Sequence, residues 1–200
     1  GVAIIWLPIG GTFVLDPLTS VLLTVIVVVV SINAINFVDG LDGLAAGIVA
    51  VAAGAFFVYA YVLSVELGLQ RATLATLVSV VLVGMGLGFL PNNLFPARIF
   101  MGDTGSMLLG LLLAAATITL SGQVDPSALS SGVFLPTLLP LILPFAVMAL
   151  PLVDLVLAVI RRTRAGRNPF APDKRHLHHR LLGMGHSQRR AVSLMYAWTA

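Results

Sequence analysis

The fold class of this chain is decided by residues 17–38, PLTSVLLTVIVVVVSINAINFV, which contain no Asp, Glu, Lys or Arg. A helix needs about 20 apolar residues to cross a hydrocarbon core of about 30 Å. Further charge-free runs of spanning length follow at residues 43–65, 72–97, 104–124 and 126–153. The runs are continuously apolar, without the alternation of a barrel strand, so they favour helices. The sequence therefore predicts an all-α, polytopic transmembrane bundle with about five complete spans.

Short apolar stretches at the two ends, residues 1–7 and 190–200, predict the ends of two further helices. We expect residues 1–200 to form a single membrane-embedded domain. The composition agrees, because 58% of the residues are hydrophobic and 10% are charged, whereas ordinary soluble domains carry about 25% charged residues. This excludes a soluble enzyme, a disordered tail and a nucleic-acid-binding module. The chain contains no cysteine, which excludes disulfides and thiolate metal sites.

The basic residues predict the orientation of the spans. Nine of the eleven Lys and Arg residues lie within residues 161–190, and segments rich in Lys and Arg stay on the cytoplasmic side of a membrane. Alternating the spans backwards from there places the connections 37–43 and 91–103 on the cytoplasmic side as well. The connections that carry Asp39, Asp42 and Asp103, and the segment that carries the histidines, are thus predicted to face the same aqueous compartment.

The first of these connections lies in NAINFVDGLDGLAAG, residues 33–47. Four polar side chains recur there at every third position: Asn33, Asn36, Asp39 and Asp42. Gly40 and Gly43 disfavour a continuous helix and predict a tight turn between two spans. In one interpretation the Asp-Gly pairs only form the turn and Asp42 caps the next helix. In the other, the carboxylates and amides form a hard-oxygen environment that suits Mg²⁺, which would explain polar groups where burial is costly.

The second connection lies in PNNLFPARIFMGDTGS, residues 91–106. Pro91 and Pro96 predict an irregular loop, and Asp103 stands at the start of the fourth span. Asp103 is either a helix N-cap or a metal-binding carboxylate beside small residues, where a helix N-terminus can receive phosphate. Arg98 adds a positive charge on the same side.

The basic segment 161–190 contains a group of three histidines, His176, His178 and His179. Three interpretations are open: phosphate binding by histidine and arginine side chains, a solvated loop beside anionic lipid, or a zinc site. Arg175 and Arg180 flank the histidines and would repel a cation, which favours phosphate binding.

Together the three segments resemble the polyprenyl-phosphate N-acetylhexosamine-1-phosphate transferases. NAINFVDGLDGLAAG is similar to the Asn-Asp-Gly segment of that family, PARIFMGDTGS to its Met-Gly-Asp segment, and HLHHRLL followed by SQRRA to its cytoplasmic histidine loop. The histidine loop is closer to the WecA/TagO-like branch, because Leu177 interrupts the run of three histidines that is usual in the MraY-like branch.

The resemblance implies an enzyme that transfers a sugar-1-phosphate, in this branch GlcNAc-1-phosphate, from a UDP-sugar to undecaprenyl or another polyprenyl phosphate and releases UMP. This is a first membrane step in making cell-envelope polysaccharides such as lipopolysaccharide or teichoic acid. It further implies Mg²⁺ as the cofactor, with Mn²⁺ as a substitute. The active site is expected on the cytoplasmic face of the bacterial inner membrane, and the protein could form a homodimer. The alternatives are an MraY-like phospho-muramyl-pentapeptide transferase and a transporter. A transporter would need polar residues along the middle of several spans, where this sequence is apolar.

The resemblance also assigns residues. Asp103 and Asp42 are the expected metal ligands, and Asp39 shapes the same site. The residues expected to be catalytic are Asp103, Asp39, Asp42, His176, His178 and His179. The residues expected to bind substrate are Asn33, Asn36, Asn93, Arg98, Arg175 and Arg180.

One element of the family pattern is missing. The family carries an adjacent Asp-Asp pair upstream of the position of Gly1, and these 200 residues contain no such pair. Either the fragment lacks the N-terminal part of the enzyme, which carries the pair, or the protein is a degenerate relative. We favour the first explanation and expect residues 1–200 expressed alone to release no UMP from UDP-GlcNAc. UMP release from that fragment above the level of empty membranes would contradict this prediction.

Overall fold

The computed structural model describes residues 4–7, 11–65, 72–121, 149–164, 166 and 181–199. These residues include six helices: α1 (Pro17–Val38), α2 (Leu44–Val65), α3 (Ala72–Asn93), α4 (Gly102–Ser121), α5 (Ala149–Arg164) and α6 (Gln188–Thr199). They also include two short strands, β1 (Ile4–Leu7) and β2 (Gly11–Val14).

Four of the helices, α1 to α4, are long and apolar enough to cross a membrane. Their bounds follow the charge-free runs within a few residues, so the prediction of an all-α bundle with several spans is confirmed. Asp16 caps α1 by accepting a hydrogen bond from the Thr19 amide at 3.1 Å, and Pro17 fits the first turn, where no amide partner is needed. The fifth predicted span, residues 126–153, lies almost entirely outside the described residues.

The helical prediction for residues 1–7 is wrong for residues 4–7, the part of that segment that the structure describes. Residues Ile4 to Leu7 form β1, which pairs antiparallel with β2 in the register Ile4 to Val14 and Leu7 to Gly11. The β-branched and aromatic side chains of IIWL favour a strand, and the intervening PIG contains two residues that break helices. At the other end, residues 190–200 fall within α6 up to Thr199, as predicted.

Neighbouring helices pack through small residues. α2 packs against α3, where a Cβ on Gly86 would lie 2.8 Å from Ala50 Cβ. α1 packs against α4, where a Cβ on Gly110 would lie 2.8 Å from both the Cα of Ile32 and the carbonyl oxygen of Ser31. In lipid the hydrophobic effect does not drive helices to associate, so the close packing of their backbones at small residues stabilises these helix pairs.

A cluster of buried hydrophobic residues lies at the end of the bundle where the chain passes from α1 to α2. Val38, Leu44 and Ile48 pack there against Val192 and Met195 of α6. Helix α6 is therefore fixed beside the connection between the first two spans, which is the connection that carries Asp39 and Asp42.

Candidate active site

The connection between α1 and α2 is the predicted tight turn, residues 39–43. Helix α1 ends at Val38, and α2 begins at Leu44. Gly43 adopts a φ of +79°, which residues with a Cβ rarely adopt. Its amide donates a hydrogen bond to Asn93 Oδ1 at 3.0 Å. The turn is thus attached to the end of α3.

The turn and the start of α4 enclose a cavity of about 290 Å³. Its lining residues are Asp39, Gly40, Leu41, Asp42, Asn93, Phe100, Met101, Gly102 and Asp103. All three carboxylates that the sequence singles out on these two segments therefore line one cavity, as the resemblance implies. The cavity lies at the ends of apolar helices, where a membrane protein meets water.

Two of the carboxylates act on each other electrostatically. The pKa of Asp39 is raised from 3.8 to about 6, first because the carboxyl is partly buried and second because Asp103 carries a like charge nearby. Both effects disfavour the ionised form. A cation or a proton at this place would relieve the repulsion.

Asp103 is oriented by a polar side chain of α1. The amide of Asn36 donates to Asp103 Oδ1 at 3.2 Å and to the hydroxyl of Ser106 at 3.0 Å. Ser106 is fully buried. Asp103 lies inside the first turn of α4, which begins at Gly102, so it is not the N-cap of that helix.

The remaining polar side chains of the cavity join its two loops. Asp42 Oδ2 accepts a hydrogen bond from the Ala97 amide at 3.0 Å. Asn93 is buried, with 4% of its surface exposed, and its amide nitrogen donates to the carbonyl of Ile99 at 2.9 Å. Asp42 and Asn93 thus join the turn to the loop formed by residues 94–101. Their predicted roles in metal and substrate binding stay predictions.

Other predicted site residues lie elsewhere. The side chain of Asn33 donates to the Val29 carbonyl of its own helix at 2.7 Å, and Arg98 is exposed without lining the cavity. The predicted residues Arg175, His176, His178, His179 and Arg180 lie outside the described residues. Within the described part of the chain, no group of three His, Cys, Asp or Glu residues is placed to hold a metal ion.

The structure adds residues that the motifs did not indicate. Ser106 shares the amide of Asn36 with Asp103. Arg162 of α5 is buried and lies over the ring of Phe37, 5.6 Å from its centroid. A run of small residues after Asp103 could have suggested Ser106, but no local pattern marks the partner of Arg162.

We expect Asn93→Ala to destabilise the protein. The change leaves the Gly43 amide and the Ile99 carbonyl without their described partner, and each lost buried hydrogen bond costs about 1 kcal/mol. The thermal midpoint in detergent should therefore fall by several degrees. Asn92→Ala, at the exposed neighbouring position in the last turn of α3, should change the thermal midpoint little. Equal midpoints for the two variants would contradict this role of Asn93.

The raised pKa of Asp39 predicts a pH dependence. The folded protein binds this proton more tightly than the unfolded chain, so the contribution to stability is present below about pH 4 and is lost as the pH rises to about 6. Asp39→Asn removes the charge. In buffer free of divalent cations, its thermal midpoint should exceed that of the wild type by an amount that grows between these pH values and then stays constant. A difference that does not change with pH would contradict the prediction.

Comparison with known proteins supports the resemblance. The chain is 51% identical over 199 residues to a decaprenyl-phosphate N-acetylglucosaminephosphotransferase of Mycolicibacterium smegmatis, covering 98% of this chain and 49% of that protein. The corresponding protein of Mycobacterium tuberculosis is 49% identical over the same shares. A probable undecaprenyl-phosphate N-acetylglucosaminyl 1-phosphate transferase of Bacillus subtilis is 37% identical over 118 residues, covering 59% of this chain and 30% of that protein.

The chain spans about half the length of the mycobacterial relatives it matches. The model of glycosyl transferase family 4 matches residues 2–121, which include both segments that line the cavity. Because that match covers more than half of the chain, this multi-pass membrane protein belongs to glycosyl transferase family 4.

Proposed function

We propose that the chain forms the metal-binding and phosphate-binding part of a polyprenyl-phosphate N-acetylglucosamine-1-phosphate transferase. In this reaction an oxygen of polyprenyl phosphate attacks the β-phosphorus of UDP-GlcNAc. The bond from that phosphorus to the bridging oxygen breaks, and UMP leaves with the bond's electron pair. The products are polyprenyl-diphospho-GlcNAc and UMP. The observation that carries the proposal is the meeting of Asp39 and Asp103 in one cavity at the ends of apolar spans.

The position of the cavity suits two substrates of opposite solubility. A nucleotide sugar stays in water, and a polyprenyl chain stays in the bilayer, so their phosphates can meet only where spans end. Phe100, a cavity residue, is 76% exposed, and the loop of residues 94–101 exposes further large apolar side chains. An apolar rim beside carboxylates fits a lipid phosphate at the membrane surface.

The donor set fits Mg²⁺. Mg²⁺ is usually bound by one or two carboxylates together with waters and substrate phosphates, and the repulsion between Asp39 and Asp103 marks a place for positive charge. We propose that Asp39 and Asp103 hold the ion and that waters and substrate phosphates complete its coordination. When bound, the ion would neutralise charge on the diphosphate.

The other residues of the chain position the phosphates and the carboxylates. Asn36, which also donates to the Ser106 hydroxyl, holds the Asp103 carboxylate in orientation. The cavity also reaches Gly102, at the N-terminus of the 20-residue helix α4, and the unpaired amides of a helix N-terminus attract phosphate oxygens. Phosphoryl transfer depends chiefly on positioning and charge, so this site needs no nucleophilic side chain.

The cytoplasmic location of the site is part of the proposal. It rests on the concentration of Lys and Arg in residues 161–190 and on the positive-inside rule. In that orientation His176, His178 and His179, with Arg175 and Arg180, would reach the phosphates of the nucleotide from the same side.

Exchange of labelled UMP into UDP-GlcNAc tests the proposal in membranes that carry the full-length protein. We expect exchange that needs both Mg²⁺ and polyprenyl phosphate and that ceases with EDTA. Exchange with UDP-MurNAc-pentapeptide instead of UDP-GlcNAc would contradict the choice of sugar. Failure with both nucleotides, alongside ion-dependent solute uptake, would overturn the enzyme proposal in favour of a transporter.

A further inference from the structure

Helix α6 contributes no side chain to the cavity but contacts both of its loops. The Tyr196 hydroxyl donates a hydrogen bond to the carbonyl oxygen of Gly43, at the end of the Asp-Gly turn. In the first turn of the same helix, Arg189 Nη2 donates to the carbonyl oxygen of Phe95 at 3.2 Å. One element thus holds the turn that carries Asp39 and the loop that leads to Asp103.

The ring of Tyr196 is seated independently of its hydroxyl. A Cβ on Gly47 would lie 2.1 Å from the ring, so the ring occupies space that only a glycine leaves open. Val192 and Met195 of α6 are buried against Leu44 and Ile48 of α2. Removing the hydroxyl alone should therefore leave the helix and the ring in place.

Gly43 is held from both sides of its peptide backbone. Its amide donates to Asn93 Oδ1, and its carbonyl accepts from Tyr196. Because Gly43 has the positive φ that reverses the chain, these two bonds set the direction of the turn relative to α3 and α6. The direction of the Asp-Gly turn also determines where Asp39 and Asp42 lie in the cavity.

We propose that Tyr196 and Arg189 are positioning residues that keep the two cavity loops in register with each other. Tyr196 orients the Asp-Gly turn, and Arg189 orients the loop formed by residues 94–101. The effect on turnover rests on the proposed transferase function, whereas the effect on the loops does not.

The loops can be tested without metal or substrate by hydrogen–deuterium exchange of the full-length protein in detergent. A single hydrogen bond contributes about 0.5–1.5 kcal/mol, so Tyr196→Phe should speed exchange in residues 39–43 roughly threefold to tenfold. Tyr61→Phe is the matched control, because Tyr61 lies about 25 Å along α2 from the turn and is 46% exposed. Equal exchange in Tyr196→Phe and the wild type overturns the role of Tyr196.

Arg189 is tested in the same experiment. Arg189→Gln should speed exchange in residues 94–101, whereas Arg190→Gln removes the same charge from the next position and should not. Equal effects of the two variants would mean that charge, not the bond to Phe95, controls the loop, and would overturn the role of Arg189.

The catalytic consequence is measured by the UMP exchange assay. Tyr196→Phe should raise the Mg²⁺ concentration for half-maximal exchange about threefold to tenfold, while its thermal midpoint stays within a few degrees of the wild type. A loss of maximal rate in proportion to lost folded protein, with unchanged Mg²⁺ dependence, would indicate a structural role only and overturn the positioning role. If the wild type itself shows no exchange, the transferase proposal fails, and hydrogen–deuterium exchange still decides the positioning of the loops.

Discussion

Asp103→Asn should abolish UMP exchange while the protein stays folded. Asparagine has nearly the same shape, and its Oδ1 can still accept the hydrogen bond that Asn36 donates to Asp103. The loss is confined to the negative charge, which the proposed metal ion requires. We expect exchange to fall by at least about a hundredfold, the effect of removing one main electrostatic contact from an active site.

Asp16→Asn is the matched control for this change. Asp16 caps α1 at the end opposite the cavity, and asparagine is as good an N-cap as aspartate. Exchange and the thermal midpoint of Asp16→Asn should equal those of the wild type. Wild-type exchange by Asp103→Asn would remove Asp103 from the active site.

Gly110→Ala should lower both stability and exchange. The added methyl group would lie 2.8 Å from the backbone of Ile32 and of Ser31, which cannot rotate away as a side chain can. Helices α1 and α4 must separate, and such overpacking costs about 1–3 kcal/mol. The same separation stretches the bond between Asn36 on α1 and Asp103 on α4, so turnover should fall further than the loss of folded protein explains.

Gly84→Ala provides the comparison for Gly110→Ala. Gly84 lies on the exposed side of α3, where a Cβ meets no atom within 4 Å. Alanine is the better helix former, so the thermal midpoint should hold or rise slightly and exchange should stay normal. If Gly110→Ala behaves like Gly84→Ala, the close contact between α1 and α4 is not needed.

The spans could be read from the sequence because their signal is local. Charge-free runs mark where a chain can enter a bilayer, and residues 17–38 and 43–65 predicted α1 and α2 almost to the residue. The run 72–97 predicted the end of the third span less well, because α3 ends at Asn93 and an apolar loop around Phe95 follows it. Hydrophobicity alone does not distinguish that loop from a span. The same limit explains the wrong prediction for residues 4–7.

The convergence of the cavity residues was predicted from motifs, but their partners were not. The three-residue spacing grouped Asn33 with Asn36, whereas the helix directs one amide to its own backbone and the other to Asp103. Whether Asn93 supports the loops or also binds substrate depends on contacts between distant segments. Arg189 lies in the SQRRA stretch and Tyr196 lies beyond it, and only the tertiary structure connects either residue with the cavity loops.

The bond between Tyr196 and Gly43 has a consequence for the order of assembly. The two residues are 153 positions apart, and chains are synthesised from the N-terminus at about 5–20 residues per second. The turn between α1 and α2 therefore emerges on the order of ten to thirty seconds before the tyrosine that fastens it. The nascent chain therefore inserts α1 and α2 before the Asp-Gly turn has its bond to Tyr196, and the turn gains that bond only when α6 docks.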